Sequence, residues 1–275
     1  MRHKKPLDLF LSAITYGAAA LAVSVLAFLV GYVIIRGLPN LKLSLFSLHY
    51  TSENVSVVPA LITTVEMTAL SLLIAVPLGV CTAIYLVEYA SRKNKLVGII
   101  RLTTETLSGI PSIVYGLFGM LFFVTALGWG FSLIAGAFTL SIMILPLIMR
   151  TTEEALKSVP DSYREGAFGL GAGRLRAVFR IVLPAAVPGI LSGIILAIGR
   201  IVGETAALIY TAGTVAQTPS SLTDSARTLA VHMYALSSEG LNTNEAYATA
   251  LILLAMVVGI NTLASYMAKK LAKGS

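Results

Sequence analysis

Two groups of residues in this 275-residue chain have the types and spacing for chemistry. The first is Arg200-Ile201-Val202-Gly203-Glu204-Thr205, set inside a long apolar run. On a continuous helix, Arg200 and Glu204 are four residues apart and share one face. An arginine or a carboxylate at the bilayer centre costs about 2.5–3.5 kcal/mol on insertion scales, and such residues face a bundle interior or a wet path. Two readings follow. The pair is a structural ion pair that locks helix packing, or it presents a cation to an anion, with the glutamate orienting the guanidinium. Arginine's planar fork matches the oxygens of a phosphate better than an ammonium does. Thr205 adds a hydroxyl beside it. Arg150, at the end of another apolar run, is a second candidate on an anion path, and snorkelling to the interface explains it equally well. Glu66 lies within an apolar run and would repel an anion if unpaired, so a partner or contact with water is expected for it.

The second group is Glu165-Gly166-Ala167-Phe168-Gly169-Leu170-Gly171, followed after nine residues by Ile181-Val182-Leu183-Pro184. Ser162-Tyr163-Arg164-Glu165 reads as a capping box, with Ser162 as N-cap and Glu165 reaching back to its amide. Val159-Pro160 marks a break before it, since a residue preceding proline is pushed away from helix. Gly169, Gly171 and Gly173 end the short helix and permit a turn, and Pro184 suits the first turn of the next helix. Read from these residues alone, the stretch is a short helix between a break and a glycine hinge, and an ordinary amphipathic interfacial loop would carry the same local signals.

The elements that must position these groups are apolar. Hydrophobic residues make up 56% of the chain and charged residues 12%, about half the ~25% of a soluble domain, and mean hydropathy is +0.85. Six apolar runs stand out, at about 9–35, 57–86, 106–127, 131–149, 184–211 and 246–267. Each reaches roughly the 20 residues needed to cross a bilayer, and each should be helical, because an open strand edge does not persist in lipid. Pro77, Pro111 and Pro146 are candidate kinks. The fold class expected is therefore all-α and polytopic, with six transmembrane helices. The first run is too long for a signal-peptide core and is read as retained.

Basic residues set the expected orientation. With the N-terminus in the cytoplasm, the inner side holds Arg2, Lys4 and Lys5; Arg92, Lys93, Lys95 and Arg101; Arg150, Lys157, Arg164, Arg174, Arg176 and Arg180; and Lys269, Lys270 and Lys273. The outer side holds only Arg36, Lys42 and Arg227, and Arg200 is left within a span. Both termini and the Glu165 loop are thus expected in the cytoplasm. The net charge of +7 is a topology signal, and no stretch alternates basic and aromatic residues as a nucleic-acid surface does. Two long outer loops, about 36–56 and 212–245, can receive a soluble binding protein or serve as connectors. Domain boundaries are expected at 1–56 (first helix and outer loop), 57–270 (core transmembrane unit, with its cytoplasmic loop at 150–184) and 271–275 (tail).

Several chemistries lack their residues. Cys81 is the one cysteine, which excludes an internal disulfide, and His3, His49 and His232 are too far apart in sequence to suggest a metal site. Gly169-Leu170-Gly171-Ala172-Gly173-Arg174 lacks the ending of a P-loop and places arginine at the last position of a dinucleotide fingerprint. Neither HExxH nor G-x-S-x-G occurs. A proton-coupled secondary transporter using Glu204 would account for the charges in the span and not for the Glu165 loop. An intramembrane protease lacks a catalytic pair.

The spacing E-x-A-x-x-x-G followed by I-x-L-P resembles the EAA loop of ABC importer permeases. Gly109-Ile110-Pro111-Ser112-Ile113-Val114-Tyr115-Gly116-Leu117-Phe118-Gly119 and the segment from Ala197 to Ala206 are similar to the third and fifth spans of bacterial phosphate-specific permeases, and Leu229–Tyr234 and Ala246–Leu251 resemble the end of PstA-type subunits. The likeness runs from about Val57 onward, and Gly166 departs from it where many loops have alanine. The resemblance implies a type I ABC importer permease fold in a bacterial or archaeal plasma membrane. Ser162, Glu165, Ala167, Gly171, Ile181, Leu183 and Pro184 would then belong to ATPase coupling, and Arg200, Glu204, Thr205 and Arg150 to the substrate path. It implies a homologous PstC-type permease, two PstB-type ATPases and an extracytoplasmic PstS-type phosphate-binding protein as partners, beside phosphate and the lipid bilayer. ATP and Mg would be used by the ATPases, with no cofactor and no catalytic residue in this chain. Molybdate or sulfate is the neighbouring alternative substrate.

Overall fold

The computed structural model describes residues 6–91 and 94–273, and these are helical or irregular, with no strand among them. Arg2, His3, Lys4, Lys5, Arg92, Lys93 and residues 274–275 of the expected tail lie outside the described residues. The elements are α1 (Pro6–Gly37), α2 (Val58–Ile84), α3 (Lys95–Ser108), α4 (Ser112–Gly119), α5 (Leu133–Ser158), α6 (Asp161–Gly169), α7 (Arg174–Ala177), α8 (Leu183–Val202), α9 (Ala206–Ile209), α10 (Leu229–Glu239) and α11 (Thr243–Lys273). Among the described residues, five helices are long and apolar enough to cross a membrane, and a bent pair, α3 with α4, makes a sixth span when counted as one.

α5 is the centre of the bundle and packs chiefly on α2 and α8. Met67, Leu140, Met143, Ile144, Ile148, Ile201 and Leu208 are fully buried where these helices meet. Small residues set the approach: a Cβ on Gly79 would come within 2.7 Å of Ile148 Cγ2, and the Ser141 hydroxyl donates across the interface to the Ser71 carbonyl at 3.1 Å. Close backbone approach of this kind is what holds helices together where lipid removes the hydrophobic driving force. The pairings 71–141 and 79–148 also show that α2 and α5 run in the same direction. α1 packs against α11 and buries almost none of its surface within the chain.

Two expected spans differ from the straight segments expected for them. The third, read as 106–127, begins at Lys95 and turns by 104° between α3 and α4. The break is Gly109-Ile110-Pro111: Pro111 has no amide to donate and disfavours helix at Ile110. α3 is amphipathic, leaves Leu96, Ile99 and Leu102 exposed, and is N-capped by Asn94, whose Oδ1 accepts from the Leu96 amide at 3.0 Å. Pro77 and Pro146 lie inside continuous helices, so only Pro111 of the three candidate kinks marks a break of this size. The fifth span, read as 184–211, instead runs from Arg174 to Val202. A π turn at Val178–Val182 precedes α8, and Pro184 stands in the first turn after it.

Candidate functional site

The loop between α5 and α8 folds as α6 and α7, and its chemistry differs from a capping box. Pro160, at φ −56° and ψ 140°, is the residue before the helix, and no side chain caps the N-terminus. Ser162 therefore sits within the first turn and does not cap it. The proline fixes the extended entry two residues earlier, and Asp161 places its charge in the first turn, where the helix dipole favours it. The C-terminal reading stands: α6 ends at Gly169, and Gly171 adopts φ +80°, a conformation that suits glycine. The Ala172 amide then donates back to the Ala167 carbonyl at 3.0 Å.

α6 has two faces. Ala167 is buried, while Ser162, Tyr163, Glu165, Phe168 and Leu170 are exposed, Leu170 at 91%. Leu175 and Phe179 continue this exposed apolar surface along α7 and the π turn. Behind it, Val178, Val182, Ala186 and Ile190 form a core with Ile84, Ala155, Leu156 and Val159, and Leu183 packs on that core. Within the Ile181-x-Leu183-Pro184 motif, Leu183 is thus a packing residue that seats the loop on α2 and α5.

The residue that ties α6 down is Arg164, which the sequence reading passed over except as a topology charge. Its Nη2 donates to Glu88 Oε1 at 2.7 Å and to the Leu156 carbonyl at 2.9 Å. Its Nε donates to both Glu88 oxygens, at 3.2 and 3.4 Å. Nη1 donates to the Val159 carbonyl at 2.9 Å and to Asp161 Oδ1 at 3.1 Å. The Glu88 carboxylate beside it raises the guanidinium's pKa, so the cation is held charged. Glu88 lies within the π turn Tyr85–Tyr89 that follows α2 and is buried. A carboxylate in the last turn of an apolar run, on the side rich in arginine, was the available sequence signal.

The Arg200 region departs from the expected helix face. α8 stops at Val202, with Gly203 as its C-cap, and Glu204 lies beyond it. The buried Glu204 carboxylate accepts from the Ala207 amide at 3.0 Å and so caps α9. No ion pair joins Arg200 to Glu204 among the described residues. The expected orienting glutamate is therefore corrected to a helix cap. The physical reason is the break at Gly203, which leaves new amide donors that must be satisfied where water is scarce. Thr205 lines a cavity of about 390 Å³ with Met233, Tyr234, Ser237 and Tyr247, and Arg200 does not line it.

Arg200 itself is exposed and stands in the last turn of α8, three residues before Gly203. The Tyr115 hydroxyl donates to the Leu107 carbonyl at 2.7 Å, bridging the α3–α4 break. α4 packs directly on α9, where a Cβ on Gly116 would meet Ala207 Cα at 2.8 Å. The broken third span is thus brought against the short helix that follows the fifth, and Arg200 precedes that helix in the last turn of α8. Arg150 is elsewhere: its Nε donates to Glu154 Oε1 at 3.1 Å on an exposed face, and it lines a cavity of mixed charge with Arg101, Glu105, Glu153 and Lys157. Glu66 is half-buried and lines a cavity with Leu70, Ser220 and Ser221; its Oε2 is sealed from solvent and accepts no hydrogen bond.

Residues 75–274 match the family described as binding-protein-dependent transport system inner membrane component. The chain is 35% identical over 243 residues to a probable ABC transporter permease protein, YqgI, of Bacillus subtilis, covering 81% of each. It is 47% identical over 155 residues to phosphate transport system permease protein PstA 2 of Mycobacterium bovis, covering 56% of this chain and about half (51%) of that protein. A bacterial alginate ABC transporter, solved with its alginate-bound periplasmic protein, superposes over 97% of this chain and 96% of its own with a TM-score of 0.72 at 17% identity, a likeness of fold alone. The span architecture, the loop and these matches agree: the chain belongs to the family of inner-membrane components of binding-protein-dependent transport systems, as a multi-pass permease of an ABC importer.

Proposed function

We propose that this permease imports inorganic phosphate. The observation that carries the reading is Arg200, an exposed guanidinium with no carboxylate partner among the described residues, in the last turn of the otherwise uncharged α8 and just before the break at Gly203. Interrupted spans at a bundle centre are where transporters place polar sites. A guanidinium fork suits a tetrahedral oxyanion. The 47% identity to a phosphate permease over half the chain points to the same anion.

In this reading the α6 side faces the cytoplasm with both termini, as the basic residues direct. The exposed face of α6 and α7 docks an ATPase, with Glu165 on that face and Gly171 shaping the turn behind it. Ile181, Leu183 and Pro184 carry the motion into α8. The partners are a PstC-type permease, two PstB-type ATPases that use ATP and Mg, and a PstS-type binding protein at the opposite face.

The test is uptake of labelled phosphate into vesicles carrying the whole importer, with and without trapped ATP. Arg200→Ala is expected to abolish ATP-dependent uptake at unchanged abundance in the membrane, and Arg200→Lys to restore it only in part. Wild-type uptake in Arg200→Ala would refute the assignment. Preferred uptake of sulfate or molybdate would move the substrate to another oxyanion.

A further inference from the structure

Arg164 ties α6 both to the end of α5, separated from it by two residues in the chain, and to the end of the second span, 76 residues away in sequence. It lies in α6, yet its guanidinium grips Glu88 at the end of the second span and the Leu156 and Val159 carbonyls at the end of the fourth. Those carbonyls are left without intrahelical donors where α5 stops at Ser158. One planar fork therefore closes a helix C-terminus, neutralises a buried carboxylate and fixes the short helix in place. The pair is well enclosed, with side-chain exposures of 16% for Arg164 and 6% for Glu88. The exposed face of α6 makes no comparable side-chain bond: Ser162, Glu165 and Phe168 point outward.

Resting on the proposed docking of an ATPase at α6, we infer that Arg164 and Glu88 are positioning residues for coupling: they hold α6 rigidly on the second and fourth spans, so that displacement of the docked helix moves both spans together. Neither residue touches the transported anion in this assignment. A lysine reaches Glu88 as a point charge and cannot also direct a fork at two carbonyls. The charge-swapped pair, Glu88→Arg with Arg164→Glu, places a carboxylate against the Leu156 and Val159 carbonyls, so exchange of the charges does not restore the staple. A simple ion pair would tolerate both changes.

The experiment uses the assembled importer in vesicles and reads three quantities: ATPase subunits retained, ATP hydrolysed, and phosphate taken up per ATP. Spin labels at Tyr85→Cys and Leu170→Cys, with Cys81→Ala, report the distance between the second span and α6 in a separate preparation. Arg164→Lys and Glu88→Gln are expected to retain the ATPase subunits and lower uptake per ATP about tenfold, the factor corresponding to one charged hydrogen bond. The label distances should broaden in both variants. Wild-type uptake per ATP in Arg164→Lys, or its recovery in the swapped pair, overturns the inference. So does a Glu88→Gln protein that is less abundant in the membrane but has normal uptake per molecule, since the pair would then serve folding alone. Leu170→Asp separates the underlying reading: retained ATPase and normal uptake in that variant refute docking at α6, whereas its loss of ATPase beside normal coupling in Arg164→Lys refutes only the staple.

Discussion

The two ends of the helical bundle each enclose an arginine and stabilise it by different means. At the α6 end, Arg164 spends its donors on a carboxylate from one span and carbonyls from another. At the opposite end, Arg227 is 6% exposed, and no carboxylate pairs with it among the described residues. Its guanidinium lies 4.8 Å above the Tyr50 ring, and Nε and Nη2 make no hydrogen bond. A desolvated cation–π contact of this kind contributes about 2 kcal/mol. On the ring's edge sits His232, fully buried, 6.0 Å from the Tyr50 centroid. Burial and the Arg227 charge push its pKa down to about 3, so it is neutral in the folded protein. Helix ends offer carbonyls and charges in fixed directions, which suits a fork. The loops over the opposite end offer rings and methyl groups, so the cation there is held by packing.

The largest effect that separates the two ends is Arg164→Ala. It strands the enclosed Glu88 carboxylate and the Leu156 and Val159 carbonyls, and should cost about 3–5 kcal/mol of stability. Thermal unfolding of the purified protein in detergent would measure it. Arg164→Ala with Glu88→Leu should recover much of the loss, because no charge is then left unpaired. A loss under 1 kcal/mol in the single variant would erase the contrast.

Arg227→Met should change stability by only about 1 kcal/mol in either direction, since replacing an enclosed charge by an apolar residue of similar length is often neutral or stabilising. It strands no carboxylate. If Arg227→Met destabilises as much as Arg164→Ala in the same assay, the opposite end is held by electrostatics after all.

The smallest effect is the pH dependence of the opposite end. His232 binds its proton less readily folded than unfolded, so the unfolded state takes up more protons between about pH 6.5 and 3. Its contribution is present in full above pH 6.5 and declines as pH falls. Asp224 adds a second loss at lower pH: the hydroxyls and amides of Ser220 and Ser221 lower its pKa from 3.8 to about 2, so its contribution is lost as pH falls through that range. Hydrogen exchange at 229–239 between pH 7 and 5 should therefore quicken in wild type beyond the intrinsic pH effect. Arg227→Met should flatten that response by easing protonation of His232. An unchanged response would separate Arg227 from His232.

Much of this architecture can be read from residue types alone, and the failures are specific. The apolar runs, the glycine turn at Gly171 and the exposed loop helix follow from solvent and backbone preferences that operate locally. The capping box at Ser162 failed because Pro160 set the entry of α6 two residues earlier. The face shared by Arg200 and Glu204 failed because helical spacing presumes a helix, and Gly203 ends it. Arg150 found Glu154 one turn on, a pairing that i,i+4 spacing does offer.

Composition and basic-residue bias determined that the chain is an all-helical membrane protein, and they direct one expected orientation, because bilayer thickness and backbone satisfaction act on each segment separately. Local motifs determined where the loop helix stands. Only the tertiary structure decided that Glu88 meets Arg164 across 76 residues, that Arg227 rests on Tyr50, and that the break at Pro111 packs against the break at Gly203. These are contacts between distant segments, chosen by helix packing and by the need of each enclosed charge and amide for a partner. No local spacing records which of several acids, rings or carbonyls will be within reach.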